Sequence, residues 1–172
     1  KDRVSGNGIR CGFARNYAKQ EPDMLRTSSH AQHREMPRSW HLLVFSVGGR
    51  RLAVRTLEVG GISQWRESIP VSGGTPFVSA VVRLNQTVLP VFDLAGVLQR
   101  TMQGNSLLCL RVKHSLGDMA ICIDEEIPIL QTLDLSMIQP YRDNDVPAEG
   151  SYAHGQEEVP ILAVSRLGMG SW

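Results

Sequence analysis

The chain is poor in cysteine, and the placement of its cysteines argues against a disulfide framework. There are three, Cys11, Cys109 and Cys122, an odd number without a close pair. Cys109 and Cys122 lie in the apolar runs LLCLRV and AICID, where a free thiol behaves as a small hydrophobic side chain. This usage predicts a protein of a reducing compartment, the cytoplasm.

Features that direct a chain to a membrane, to secretion or to nucleic acid are also missing. No apolar run approaches the roughly 18 residues that a membrane span needs, and the N-terminus has no apolar signal core. The net charge is only +1, with a mildly basic N-terminal part and a mildly acidic remainder. Because no dense stripe of lysine and arginine occurs, we expect neither nucleic-acid binding nor direct membrane insertion. The chain starts with lysine, which is consistent with a fragment or a processed product.

Motifs for catalysis, metals and cofactors are absent as well. The segment GNGIRCG at residues 6–12 lacks the Gly-Lys-Ser/Thr ending of a phosphate loop, and there is no Gly-x-Ser-x-Gly elbow. His30 and His33 have the spacing of one helix face, but their segment is polar and offers only Cys11 or Glu35 as further ligands. The acidic run at residues 124–126 predicts a solvated strand end, since consecutive strand residues point to opposite faces. We therefore expect no enzyme, no metal and no cofactor.

Short apolar segments separated by turn signals make up the chain after residue 39. WHLLVFSV and RRLAVRTLEV flank Gly48-Gly49, a pair suited to a tight hairpin turn. Short helices are predicted after Asp93, a suitable N-cap, and after Leu133. About nine short strands with turns between them indicate an all-β sandwich or barrel. The remaining strand candidates are GGISQW, both halves of PFVSAVVRLNQTVLPVFD, SLLCLRVKH, DMAICID, IPILQTL and VPILAVS.

Two similar stretches suggest how these strands are grouped. LLVFSVGGRRLAV and LLCLRVKHSLGDMAICI each contain an apolar strand, a glycine turn and a second strand. The echo is either a chance likeness of two hairpins or the mark of two small barrels that share a core. We expect residues 1–38 to be a flexible, mildly basic tail or linker and residues 39–172 to be the folded domain. The first barrel is predicted at about residues 41–100 and the second at about residues 105–168.

The stretch PFVSAVVRLNQTVLPVFDL, residues 76–94, predicts two paired strands around a polar bend. Three of its polar residues, Arg83, Asn85 and Gln86, cluster at this bend. Such a bend between apolar strands is typical of a contact surface. Trp65 is a second candidate for contact, either as an exposed interface anchor or as a cover for the edge of the core.

These segments together resemble the CheW-like domain of bacterial chemotaxis coupling proteins, over about residues 40–168. HLLVFSVGGRRLAV is similar to the family's opening hairpin, and LEVGGI to its Val-x-Glu-Ile segment. The strongest likeness is that of residues 76–94 to Phe-Val-x-Gly-Val-x-Asn-Leu-Arg-Gly-x-x-x-Pro-Val-x-Asp-Leu. The resemblance implies two five-stranded SH3-like β-barrels packed side by side, with short helices.

The chain departs from the family pattern at several surface positions. The family's Asn-Leu-Arg-Gly is Arg83-Leu84-Asn85-Gln86 here, so its arginine falls on Asn85. The glutamate of Val-x-Glu-Ile falls on Gly61, and a strand glycine on Ala80. These replacements indicate a divergent member. Arg83 shares a strand face with Asn85 and could bring a guanidinium to the same patch.

The resemblance implies a non-catalytic adaptor that couples chemoreceptors to a histidine kinase in a chemosensory array. Its implied partners are the regulatory domain of a CheA-type kinase and the cytoplasmic tip of a methyl-accepting chemoreceptor. Alternatives are a CheW-like module of a pilus-motility or array-organising protein with a changed partner, and, from another class, a small β-barrel enzyme or ligand binder. The predicted partner-binding residues are Leu57, Val59, Gly61, Ile62, Ala80, Arg83, Asn85 and Gln86.

Overall fold

A computed structural model of the chain describes residues 38–170. The predictions for Cys11, for His30 and His33, for the 6–12 segment and for the tail up to residue 37 lie outside these residues. Within them are eleven strands, where about nine were expected. The strands are β1 (Ser39–Val47), β2 (Arg50–Arg55), β3 (Val59–Gln64), β4 (Ser68–Pro70), β5 (Val78–Leu84), β6 (Thr87–Phe92), β7 (Leu108–Val112), β8 (Met119–Ile123), β9 (Ile129–Asp134), β10 (Ala148–His154) and β11 (Glu157–Leu162).

The helices of the described region are short, as predicted. One α-helix, α1 (Leu94–Leu98), follows Asp93, whose side chain accepts a hydrogen bond of 2.8 Å from the Gly96 amide. The predicted N-cap is therefore confirmed. The helical turn expected after Leu133 is a 3-10 helix, and two other 3-10 helices occur, one before β3 and one after β11. The three span Leu135–Met137, Thr56–Glu58 and Val164–Arg166.

The strands form two sheets, each of which closes into a five-stranded barrel. The terminal barrel has the order β10-β11-β2-β1-β9, and an isolated bridge between Gln139 and Ser151 joins its two edges. The central barrel has the order β3-β7-β8-β6-β5-β4. Only Trp65–Glu67 separate β3 from β4, so these two are halves of one bent strand. The predicted pair of five-stranded barrels is confirmed.

The division of the chain between the barrels differs from the prediction of about residues 41–100 and 105–168. The terminal barrel combines β1 and β2 with β9, β10 and β11, while the central barrel takes β3 to β8. Two parallel pairings cause the difference: Val91 of β6 lies opposite Ala120 of β8, and Ile161 of β11 lies opposite Ala53 of β2. Parallel partners are distant in the chain, so local sequence patterns do not reveal them.

The halves of the folded region repeat one another. The hairpin β1–β2 corresponds to β7–β8, β3 to β9, and the hairpin β5–β6 to β10–β11, with matching antiparallel and parallel neighbours. Each half therefore contributes one hairpin to one barrel and its remaining strands to the other. The sequence echo between the two glycine-turn hairpins reflects this repeat.

A large apolar core lies between the barrels, as the expected sharing requires. In β1, Leu42 and Val44 pack inside the terminal barrel, whereas Leu43 and Phe45 pack into the shared core. This alternation explains why strands that look uniformly apolar form a sheet with both faces covered. The shared core contains Leu43, Phe45, Val47, Leu52, Val54, Phe92, Leu94, Leu110, Val112, Met119, Ile121, Ile123, Val146, Leu162, Val164 and Leu167.

Asp124 is a buried polar lock between the two barrels, so the expectation of a solvated strand end is wrong for this residue, whereas Glu125 and Glu126 are exposed as expected. The Asp124 side chain is only 3% exposed. The carboxylate accepts hydrogen bonds from the amides of Gly48 (3.0 Å), Gly49 (2.8 Å) and Gln103 (2.8 Å). The glycine turn, with φ of +56° and +75°, thereby docks onto the end of β8. Satisfying three backbone donors compensates for the burial of the charge.

Cys109 and Cys122 lie directly opposite each other on β7 and β8. Both are free thiols. Burial raises the pKa of Cys109 to about 11 and that of Cys122 to about 12. The protonated thiol is inert as a nucleophile, so these residues serve as core side chains.

We predict that Asp124→Ala lowers the free energy of unfolding by about 3 kcal/mol, because three buried amide donors lose their acceptor. Urea unfolding followed by tryptophan fluorescence measures the change. Asp143→Ala, at an exposed position of the same charge, is the matched control and should stay within about 0.5 kcal/mol of the parent. A loss below about 1 kcal/mol for Asp124→Ala would show that the lock is dispensable.

A second prediction concerns the thiols in a Cys11→Ser variant. A rise of about two pKa units, from 9.0 to about 11 for Cys109, cuts the thiolate fraction at pH 8 about a hundredfold. Alkylation of the folded protein by iodoacetamide should therefore be slower than in concentrated urea by at least that factor. Because both folded pKa values are raised, the linked stability is present below pH 9 and declines as the pH rises through 11. Equal rates in the folded and unfolded protein would contradict the assignment.

Candidate functional site

The 3-10 helix before β3 and the start of β3 carry the first group of predicted contact residues. Leu57 is 65% exposed and Ile62 is 42% exposed, so both present apolar side chains to solvent. Val59 is half-buried and packs against the shared core instead. Gly61 has a φ of +148°, a conformation that favours glycine, beside a bulge in the pairing of β3 with β7. Of this group, Leu57 and Ile62 form the accessible apolar pair.

The turn between β5 and β6 carries the second group. Asn85 has a φ of +55°, the left-handed conformation that asparagine tolerates better than most residues. The Arg83 Nε donates a hydrogen bond of 3.2 Å to the Asn85 carbonyl oxygen. Arg83, Asn85 and Gln86 are all exposed, so the guanidinium of Arg83 lies beside the turn, as its place on the strand suggested.

Ala80 is set apart from these surface residues. It is half-buried and packs against the interior cluster of the central barrel. Its strand neighbours are Pro70 on β4 and Val91 on β6. Ala80 therefore does not belong to the exposed surface, because its side chain packs against this cluster.

The strand registers bring the two exposed groups to the same end of the central barrel. The Lys113 amide, just after β7, donates a hydrogen bond of 2.7 Å to the Glu58 carbonyl oxygen, which places the β7–β8 turn against the first group. On its other side, this turn borders the start of β6, next to the β5–β6 turn. One barrel end therefore carries three adjacent features: the 3-10 helix, the β7–β8 turn and the β5–β6 turn.

An open, mainly apolar groove of about 540 Å³ lies between the β7–β8 turn and β6. Leu116 is 84% exposed, Val88 59% and Met169 50%. The predicted site did not include these residues. The signal for Leu116 was present in the sequence, because a leucine beside the turn glycine Gly117 has no core to enter. Met169 reaches the groove through tertiary structure alone.

Arg55 attaches the first group to the terminal barrel. Its guanidinium lies 5.1 Å from the centre of the Trp40 ring and 2.8 Å from a carboxylate oxygen of Glu149. It also pairs with Glu58 at 3.4 Å. The Arg55 guanidinium, packed on the Trp40 ring, therefore fixes Glu58 by an ion pair. Leu57, the residue before Glu58 on the same helical turn, remains exposed.

The remaining candidates have structural roles. Trp65 is half-buried and packs against the interior of the central barrel, as expected if it covers the edge of the core.

Within residues 38–170, no three histidine, cysteine, aspartate or glutamate side chains are grouped so that they could hold a metal ion. No helix of this described part is long and apolar enough to cross a membrane.

Comparisons with known proteins agree with this architecture. The family model described as CheW-like domain matches residues 41–168. The chemotaxis protein CheW of Bacillus subtilis (strain 168) is 34% identical over 53 residues, which cover 31% of this chain and 34% of that protein. The match therefore spans about a third of the length of this curated relative.

A solved structure is similar over most of the folded region. The scaffolding protein TtCheW from Thermoanaerobacter tengcongensis superimposes with a TM-score of 0.66 at 14% identity, covering 78% of this chain and 90% of that one. At this identity the likeness concerns the fold. Because the family model spans nearly all of residues 38–170, the chain belongs to the CheW-like domain family, a family of non-catalytic chemotaxis scaffolds.

Proposed function

We propose that this domain couples the cytoplasmic tip of a chemoreceptor to the regulatory domain of a CheA-type histidine kinase. In this role it works in the cytoplasm, at membrane-associated receptor arrays, without nucleic acid and without inserting into the membrane. The observation that carries the proposal is the exposed end of the central barrel, where the segment of Leu57 and Ile62 and the polar β5–β6 turn lie on either side of the β7–β8 turn. Rigid barrels present this surface in one fixed arrangement.

The energetics of this surface suit an adaptor that exchanges partners. Burial of Leu57 or Ile62 against a partner contributes about 1–2 kcal/mol each. Association also costs translational freedom and side-chain entropy. A few contacts of this size therefore support reversible binding. Receptor state then influences kinase state through the difference in free energy between the assemblies that the adaptor joins.

The divergent surface residues favour a second version of the same function. Gly61, Asn85 and Gln86 replace charged or small residues of the family pattern. This supports an adaptor matched to a particular receptor or kinase, such as one of a pilus-motility or array-organising system. The enzyme or ligand-binder alternative predicts an enclosed pocket with converging polar groups, whereas the groove beside Leu116 is open and mainly apolar.

We predict that Leu57→Ala and Ile62→Ala each weaken binding of at least one partner about tenfold, because each removes an exposed apolar contact. Isothermal titration calorimetry would use the receptor tip and the kinase regulatory domain from the same genome. Met137→Ala, an equally exposed apolar change in the terminal barrel, serves as the control and should bind like the parent. If the parent binds neither fragment, the adaptor function is wrong.

A further prediction concerns the arginine at the turn. If the Arg83 guanidinium contacts a partner, Arg83→Ala should reduce affinity about threefold to tenfold while the melting temperature changes little. Arg66→Ala, an exposed arginine in the segment between β3 and β4, is the matched control. Unchanged affinity for Arg83→Ala alongside a loss for Leu57→Ala would assign the contact to the apolar pair alone.

A further inference from the structure

Two cations, Arg111 of β7 and Lys113 just after it, contact the segment from Leu57 to Gly60. Arg111 and Lys113 are alternate residues along the chain, so their side chains leave on one face. The Arg111 Nη2 donates a hydrogen bond of 2.5 Å to the Gly60 carbonyl oxygen, and the Lys113 Nζ donates one of 3.4 Å to the Leu57 carbonyl oxygen. Both charged groups are therefore anchored along the segment from Leu57 to Gly60.

The glycines of β3 make room for the Arg111 side chain. A Cβ added at Gly60 would come within 2.7 Å of the Arg111 Nε, so a side chain there would require Arg111 to move from its present position. At Gly61 the nearest atom to an added Cβ is the Arg111 Nη2, at 3.8 Å. The Arg111 side chain thus lies in the space beside Gly60, and its guanidinium lies next to Gly61.

The charge of this cluster is only partly balanced within the described residues. Asp118 lies 3.7 Å from the Arg111 Nε, and both side chains remain about 40% exposed. Glu58, the acidic residue nearest in the chain, pairs with Arg55 instead. A guanidinium has five N–H donors in a planar fork that suits a carboxylate. Within the described part of the chain, the Arg111 side chain makes one hydrogen bond. Its other N–H donors therefore remain available for a partner.

We propose that Arg111 and Lys113 form a cationic rim beside the exposed Leu57, and that this surface binds a protein partner carrying an exposed carboxylate beside an apolar side chain. The carboxylate sits against the Arg111 fork, with Lys113 beside it. The partner's apolar side chain covers Leu57. The inference rests on the adaptor function proposed above and specifies the chemistry of the partner at that site.

The test compares charge variants at Arg111 in the full chain. Arg111→Gln should weaken binding of one of the two fragments, receptor tip or kinase regulatory domain, about fivefold to tenfold at low salt. Arg111→Lys keeps the charge but loses the fork, so it should retain part of the affinity. The matched control is Arg142→Gln, which removes an exposed arginine from the terminal barrel, and it should bind like the parent.

Salt dependence and charge exchange supply independent readouts. Parent affinity for the same fragment should fall between about 50 mM and 500 mM salt, and the difference between parent and Arg111→Gln should shrink, since exposed charges are screened. Charge reversal of one exposed acidic residue of that fragment should restore binding of Arg111→Glu. If Arg111→Gln proves unstable, Lys113→Gln and the parent's salt dependence decide the question.

The outcomes separate this inference from the adaptor function. A parent that binds a fragment equally well at both salt concentrations, or an Arg111→Gln variant that is folded and binds like the parent, would overturn the cationic rim and leave the adaptor function standing. Failure of the parent to bind either fragment would overturn both.

Discussion

The apolar layer between the two barrels is the constraint on which the rest of the structure depends. Each barrel has only five short strands, and a unit of that size buries so little apolar surface that its stability alone is marginal. Exchange of hairpins between the halves solves this problem, because β1 and β7 each line one barrel interior and the shared layer at once. Their faces are then committed to packing, so binding surfaces can arise only at edges, turns and barrel ends.

Asp124 aligns the barrels that this apolar layer holds together. Apolar contacts have no direction and tolerate sliding, whereas three hydrogen bonds to one carboxylate fix position and angle. The lock joins the β1–β2 turn of the terminal barrel to the end of β8 and to the loop that follows α1. The proposed coupling of two partners needs this rigidity, because a flexible joint between the barrels would absorb small displacements.

The sequence predicted the elements better than their partners. Strong apolar runs identified most strands, and Asp93 identified the start of α1. Strand β10 was missed because AEGSYAH contains only one large apolar residue, Tyr152, and β4 because its three residues include a proline. The assignment of strands to barrels depended on parallel pairings across long loops. At the site, Leu57 and Ile62 are exposed, whereas Val59 and Ala80 pack against interior clusters. Val59 and Ala80 each lie beside a bulge, where the alternation of strand faces is interrupted and the sequence alone does not show which side chains are exposed.

The replaced charges at the site acquire a physical explanation from Arg111. In the family pattern, Gly61 aligns with a glutamate and Asn85 with an arginine, so this chain lacks both charges at those positions. A cation from the neighbouring strand lies over Gly60 and Gly61 instead. A partner that presents a cation to the family's glutamate would meet the Arg111 guanidinium here instead. This contact between like charges lowers the affinity of such a partner. On the proposed function, the polarity of this barrel end therefore selects among partners that share one fold.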